Sequence, residues 1–235
     1  MTQSNTKVAG VLGGMGPDAT VDFMAKVIAL TPAGKDQDHV RMIVDHNPKV
    51  PNRQHAMLGD GEDPGPVLAA MAAGLEIAGA DFVVMPCNTA HAFSKSIEAA
   101  ISIPLISIID LTVAACKEFE TVGVLATDGC LQCEIYQVAL AANTITSLTP
   151  DDADLSELMR LITLIKLGDR SDEVSLQLRS LAVALVGRGA EAIIAGCTEV
   201  PLVLKESMLD VPLIASTDVL AEATVKIARG ENQVR

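Results

Sequence analysis

Residues 79–110 read GADFVVMPCNTAHAFSKSIEAAISIPLISIID, and residues 189–218 read GAEAIIAGCTEVPLVLKESMLDVPLIASTD. The two stretches are one phrase written twice. Each opens on Gly-Ala-acid (Gly79-Ala80-Asp81 and Gly189-Ala190-Glu191), runs through an apolar segment, and meets a cysteine, Cys87 or Cys197. Each then closes on Pro-Leu-Ile, a serine (Ser107, Ser216) and an aspartate (Asp110, Asp218). Gly10-Val11-Leu12 is echoed by Gly123-Val124-Leu125. The repeat divides the chain into two related halves of roughly 110 residues, each the length of a small domain. One thiol from each half points to a site between them, suited to chemistry on opposite faces of one small molecule.

Working outward, short apolar runs alternate with longer helical patterns. Residues 8–12, 42–44, 82–85 and 105–109 read as strands of the first half, and 122–125 and 192–195 as strands of the second. Val21, Met24, Ala25 and Ile28 recur at helical spacing. Helices are also expected over 66–80, 134–142, 155–166 and 174–186, with a last one over 219–228 returning to the first half. Strands apolar on both faces and separated by helices imply parallel sheets covered on both sides. The expected fold class is α/β, with two similar three-layer halves around parallel central sheets. The first domain is expected over 1–113 plus 214–235 and the second over 114–213. Ligands of open α/β sheets bind beyond the carboxyl ends of the strands, where both cysteines fall.

Composition limits the function classes. Apolar residues make up 49 % of the chain, yet there are only one Tyr, four Phe and no Trp, so the core is built from Ala, Val, Ile, Leu and Met. A net charge of −13 argues against a nucleic-acid partner or an anionic membrane surface. It does not argue against an anionic substrate, because a local pair of basic residues outweighs a distant net charge. No apolar run reaches membrane-spanning length, and residues 1–7 lack the layout of a signal peptide. Five cysteines, an odd number, point to free thiols in a reducing compartment, so a cytoplasmic location is expected.

A single buried cysteine is commonly a small core residue, and that reading stays open for Cys87 and Cys197. Against it, each ends a strand at a loop-to-helix junction, where amides and the helix dipole would lower a thiol's pKa. Gly14, Met15 and Gly16 form the first strand-to-helix turn, either a cradle for an anion or an ordinary tight turn. The GGMGP stretch is not GxGxxG, which argues against a nicotinamide cofactor. Asn88, Thr89 and Thr198 can donate to a ligand or cap helices. The four histidines show no metal spacing, and His46, beside Asn47, is read as solvated or core hydrogen-bonded. Asp110 and Asp218 read as turn caps, and Cys116 as core.

GVLGGMGPDAT at 10–20, MPCNTAH at 85–91 and AGCTEVPL at 195–202 together resemble the aspartate/glutamate racemase superfamily, and most of all its aspartate racemases. The resemblance covers nearly the whole chain, with the motifs in family order. It implies halves related by pseudo-twofold symmetry, an active site between them, no pyridoxal phosphate or metal, and a homodimer. It also implies a small dicarboxylic amino acid as substrate and two catalytic thiols, Cys87 and Cys197, one removing the α-proton while the other donates to the opposite face. Asn47-Pro48-Lys49-Val50-Pro51-Asn52-Arg53 is similar to a family loop whose arginine binds a substrate carboxylate, a task for Arg53. Lys166 matches a family lysine facing the site, although a lysine in a last helical turn also simply complements the dipole. Glu199 stands where glutamate-racemase relatives carry histidine, which favours the aspartate branch. In the segment from Ala126 to Tyr136, Thr127, Gly129 and Tyr136 are kept, while two expected hydroxyls are Cys130 and Cys133. These two are read as small substitutes at a helix start, with a redox or metal role the lesser alternative. Decarboxylation or isomerisation of a related acid, and non-catalytic binding of an amino acid, stand as competing functions.

Overall fold

The computed structural model describes residues 6–231, so the reading of residues 1–5 as free of a targeting segment lies outside them. β1 (Ala9–Gly13) is wholly buried and sits at the heart of the first sheet. α1 (Pro17–Leu30) follows, with Pro17 at its first position, where a missing N–H costs nothing. β2 (Met42–His46) pairs with β1, and α2 (Arg53–Leu58) and α3 (Gly65–Ile77) lead into β3 (Phe82–Val84). α4 (Ser94–Glu98) and β4 (Leu105–Ile106) complete a parallel sheet of order β2-β1-β3-β4, from which α5 (Ile108–Ala115) departs.

The second half repeats this plan. β5 (Thr121–Leu125), α6 (Asp128–Gln132), α7 (Ile135–Ala141), β6 (Thr146–Leu148), α8 (Asp152–Lys166) and α9 (Asp172–Gly187) come in turn. β7 (Ala192–Ala195), α10 (Val200–Val203) and β8 (Leu213–Ala215) close a parallel sheet of order β6-β5-β7-β8. The matching strand orders are the duplication expressed in three dimensions. α11 (Ser216–Ala228) then packs on α1 and α5.

One core joins the halves. Phe23 and Val27 of α1, Val113 of α5, Tyr136 and Leu140 of α7, and Leu220 and Val225 of α11 lie between the two sheets. The outer faces carry separate cores, α3 over the first sheet and α8 with α9 over the second. Full burial of side chains such as Phe23 or Leu220 contributes about 1.5–3 kcal/mol each. α8 and α9 start where their caps dictate: Asp151 accepts from Asp154 N at 2.9 Å, and Ser171 caps Val174 N.

Two readings need correction. The segment 105–109 is strand only through Ile106, because the Ser107 hydroxyl accepts from Asp110 N at 3.1 Å and starts α5. An apolar run alone does not separate strand from buried helix, and the cap decided. α1 is present, but the face it buries is Ala19, Thr20, Phe23 and Val27. Val21 and Ile28 are 61 % and 50 % exposed. Edge strand β6 escaped the sequence reading because Thr146 and Ser147 give it no apolar pattern.

Candidate functional site

The two sheets present their carboxyl ends to a common cleft. Cys87 emerges just past β3 and Cys197 just past β7, both buried and both lining one cavity of about 60 Å³. Met15, Arg53, Asn88, Thr89, Thr127, Lys166, Thr198 and Glu199 line the same cavity. Gly14 and Gly16 do not. They wall a second, more open space of about 310 Å³ that shares Arg53, Lys166 and Glu199 with the first. The Gly14 amide is already spent, donating to Thr20 Oγ1 at 2.8 Å. Its φ of +94° and the Asn47 backbone beside it require glycine, so the tight turn accounts for this residue.

Arg53 opens α2 rather than sitting in a bare loop. Asn52 caps that helix, accepting from Gln54 N at 2.9 Å, and Arg53 Nη1 donates to the carbonyls of Val50 and Pro51 at 2.9 and 2.8 Å. The guanidinium is thus braced by its own loop, and Arg53 lines the cavity. Lys166 ends α8 at the mouth of the cavity. Crowding there disfavours its charge, but Glu199 and the two thiols outweigh that and hold its pKa above the ordinary lysine value.

The thiol environments differ. Cys197 Sγ donates to Glu199 Oε2 at 3.0 Å, and Thr198 Oγ1 donates to the same oxygen at 3.2 Å. Burial, then the Glu199 carboxylate, push the Cys197 pKa well up, against the opposing Lys166. Burial also raises Cys87, but here the largest charge effect is Arg53, which lowers it. The expectation that amides and helix dipoles would depress both thiols is therefore corrected. The turns after them are a 3-10 segment (Thr89–Phe93) and the four-residue α10, too short for a strong dipole, and desolvation wins.

A hydrogen-bonded chain ties the two cysteine loops together. Tyr136 OH donates to Asn88 Oδ1 at 2.6 Å, Asn88 Nδ2 donates to Ser216 Oγ at 3.0 Å, and Ser216 Oγ donates to the Ala195 carbonyl at 3.0 Å. Asn88 caps no helix; both ends of its amide serve this chain. Thr127 caps α6 and meets Thr89 across the halves, Oγ1 to Oγ1, at 3.0 Å. His91 Nε2 accepts from Ile108 N at 3.2 Å, so Nδ1 carries the proton and donates to the Cys87 carbonyl at 2.9 Å. Burial lowers its pKa, which keeps the ring neutral.

Sequence reasoning missed several parts of this site. Asn52, Gln54 and Gly196 line the cavity, and Gln54 Nε2 reaches Asp128 Oδ1 of the other half at 2.8 Å. Only position after the Arg53 motif could have flagged Gln54. His46 is exposed, Cys133 is exposed, and Cys116 and Cys130 are packed in the shared core. Neither Cys130 nor Cys133 touches the cavity, whose wall there is Thr127. Among the described residues no group of three or more His, Cys, Asp or Glu is placed to hold a metal ion, and no helix is long and apolar enough to cross a membrane.

Comparison with known proteins agrees with this geometry. The family model described as Asp/Glu/Hydantoin racemase matches residues 12–224. A broad-specificity amino-acid racemase of Bacillus subtilis is 30 % identical over 224 residues, covering 92 % of this chain and 96 % of the relative. The solved structure of an aspartate racemase from Picrophilus torridus superposes with a TM-score of 0.82 at 30 % identity, over 97 % of this chain and 96 % of that one. A Francisella tularensis glutamate racemase, at 18 % identity and a TM-score of 0.70 over 98 % and 85 % of the two chains, shares the fold.

Proposed function

The chain belongs to the Asp/Glu/hydantoin racemase family and is an amino-acid racemase, and from that premise we propose that it interconverts L- and D-aspartate by a two-thiol mechanism without added cofactor. The observation that carries this reading is the meeting of two buried thiols with two cations, Arg53 and Lys166, on one small cavity. The cations suit a substrate with two carboxylates. One thiolate removes the α-proton from one face, and the opposite thiol donates to the other, so the pair holds one proton before and after turnover and two while the carbanion exists. Cys197 donates to Glu199, while the largest charge effect on Cys87 is the lowering by Arg53. Burial raises both thiols, but Cys197 holds its proton the more firmly, and Cys87 is the one that gives it up first and serves as the base. The α-hydrogen is far less acidic than a thiol. The developing negative charge therefore relies on fixed donors in a water-poor site, with Arg53 and Lys166 at hand.

Discrimination between aspartate and glutamate rests on one methylene, worth about 1–3 kcal/mol. The Bacillus subtilis relative's broad specificity makes some turnover of glutamate part of this proposal. We also infer that the chain works in the cytoplasm as a homodimer, a pairing supported by the exposed Val21 and Ile28 on α1 and read out by sedimentation. The decisive experiment incubates the protein with L- or D-aspartate in D2O without cofactor and follows optical rotation and α-deuterium. Both enantiomers should converge on the racemate with deuterium at Cα. Cys87→Ser and Cys197→Ser should each abolish racemisation; full activity in both would refute the two-thiol assignment.

A further inference from the structure

The inner cavity of about 60 Å³ has room for roughly four water-sized groups. That matches the Cα of an amino acid with its ammonium and carboxylate, and leaves no space for a long side chain. The outer space of about 310 Å³ adjoins it, sharing Arg53, Lys166 and Glu199 as lining, and is the neighbouring volume toward which a longer side chain can be directed. Arg170 and Asp18 line that space but not the inner cavity. Arg170 Nη1 donates to the Ile165 carbonyl, one residue before Lys166, and to the Asp169 carbonyl at 3.2 Å. Its Nη2 donates to Asp18 Oδ2 at 2.9 Å, joining the first turn of α1 to the end of α8 across the cleft. The Arg170 side chain is 32 % exposed and the Asp18 side chain 66 %. An ion pair this open is weak, and a ligand carboxylate can compete for the guanidinium.

We propose that the outer space is a side-chain subsite for dicarboxylic amino acids longer than aspartate, with Arg170 as the residue that recognises the distal carboxylate and Asp18 as its built-in competitor. Aspartate, too short to reach it, relies on Arg53 and Lys166. Glutamate and 2-aminoadipate extend toward Arg170 and displace Asp18 from it. The inference rests on the racemase reading for the class of substrate, while its test reads binding alone.

Calorimetry measures succinate, glutarate and adipate on the full-length protein, the Asp18→Asn variant and the Arg170→Met variant, with racemisation of L-aspartate followed in parallel. Asp18→Asn should tighten glutarate and adipate about fivefold by freeing the guanidinium, and leave succinate unchanged. Arg170→Met should weaken the two longer acids about five- to tenfold, the worth of one partly exposed charged hydrogen bond. The opposite signs separate recognition from structural damage, since a variant that merely loosened the fold would weaken all three acids. Equal shifts for all three, no shift in either variant, or no binding of the longer acids by the unaltered protein would each overturn the proposal. If the chain-length pattern appears but aspartate is not racemised, the subsite stands and the aspartate reading falls. If aspartate is racemised but the pattern is absent, the aspartate reading stands and the subsite falls.

Discussion

Replacing Tyr136 by Phe removes one oxygen from the middle of the molecule and leaves the ring in place. The ring is fully buried, and Gly196, next to Cys197, packs against it so closely that an added Cβ would lie 2.8 Å from the Tyr136 Cε2 atom. The lost hydroxyl is the donor to Asn88 Oδ1 at 2.6 Å. Asn88 is 2 % exposed and its Nδ2 is committed to Ser216, so the orphaned oxygen loses its tyrosine donor and gains nothing from a flip. Leaving a buried acceptor unpaired costs about 1–3 kcal/mol. For a chain of this size each kcal/mol lowers the melting temperature by roughly 2–4 °C, so a cost of about 2 kcal/mol gives a drop of about 4–8 °C. The same change frees the loop that carries Cys87, and turnover of aspartate should fall by at least tenfold while the fold survives. Thermal melts followed by circular dichroism, with kinetics on the same preparations, test both halves of the claim. A variant that melts within about 1 °C of the parent, less than the smallest shift expected, and turns over at its full rate would refute the idea that this chain of hydrogen bonds sets the thiols in place.

Two further outcomes follow from the charges around the thiols. Glu199→Gln keeps the shape of the side chain and removes the carboxylate that, after burial, most strongly holds the Cys197 proton. The alkaline limb of kcat/KM, where that proton is lost, should move to lower pH, while the acid limb, set mainly by Cys87 beside Arg53, stays nearly fixed; movement of the acid limb alone would reverse the assignment of the resting proton. Burial also pushes Cys116 and Cys130 from 9.0 up to about 12. The unfolded chain ionises these thiols first, so their contribution to stability is complete below pH 9 and is lost as pH rises toward 12. The slope is at most about 1.4 kcal/mol per pH unit per thiol. Urea melts at pH 8, 9 and 10 should show the decline, and a Cys116→Ala, Cys130→Ala double variant should flatten it; an unchanged slope would sink the attribution.

The parts of this molecule legible in the sequence are those with local signatures. The duplicated phrase gave away two related halves, because burial on both faces forces β3 and β7 to be apolar throughout and leaves polar residues at their ends. Helices α8 and α9 were readable from acidic starts and apolar periodicity. What stayed hidden depends on distance in the chain. Gln54 meets Asp128, Asn88 meets Ser216, and Asp18 meets Arg170, and no local pattern encodes such pairs. The direction of the thiol shifts was misread for the same reason. A strand end followed by a helix suggests a stabilised thiolate, but the cost of burial is set by everything that packs over the loop. Cys87 sits in the core under α3 and Cys197 in the core under α8 and α9, each built from residues far away in the chain.

The near-symmetry of the halves and the asymmetry of their charges fit together in the proposed reaction. L- and D-aspartate are mirror images, so their equilibrium constant is one and kcat/KM must be equal in the two directions whatever the residues around each thiol. Two thiols from duplicated strands meet the geometric requirement, a proton carrier on each face. Nothing in that constraint requires the two carriers to have equal pKa values, and here they do not: Glu199 is hydrogen-bonded to Cys197, and Arg53 exerts the larger charge effect on Cys87. The difference can appear only in kcat and KM taken separately, because it sets which of the two thiols gives up its proton first. In that proposal duplication supplies a proton carrier from each half, and the residues outside the repeated phrases, Arg53 and Lys166 among them, select the molecule that is held between them.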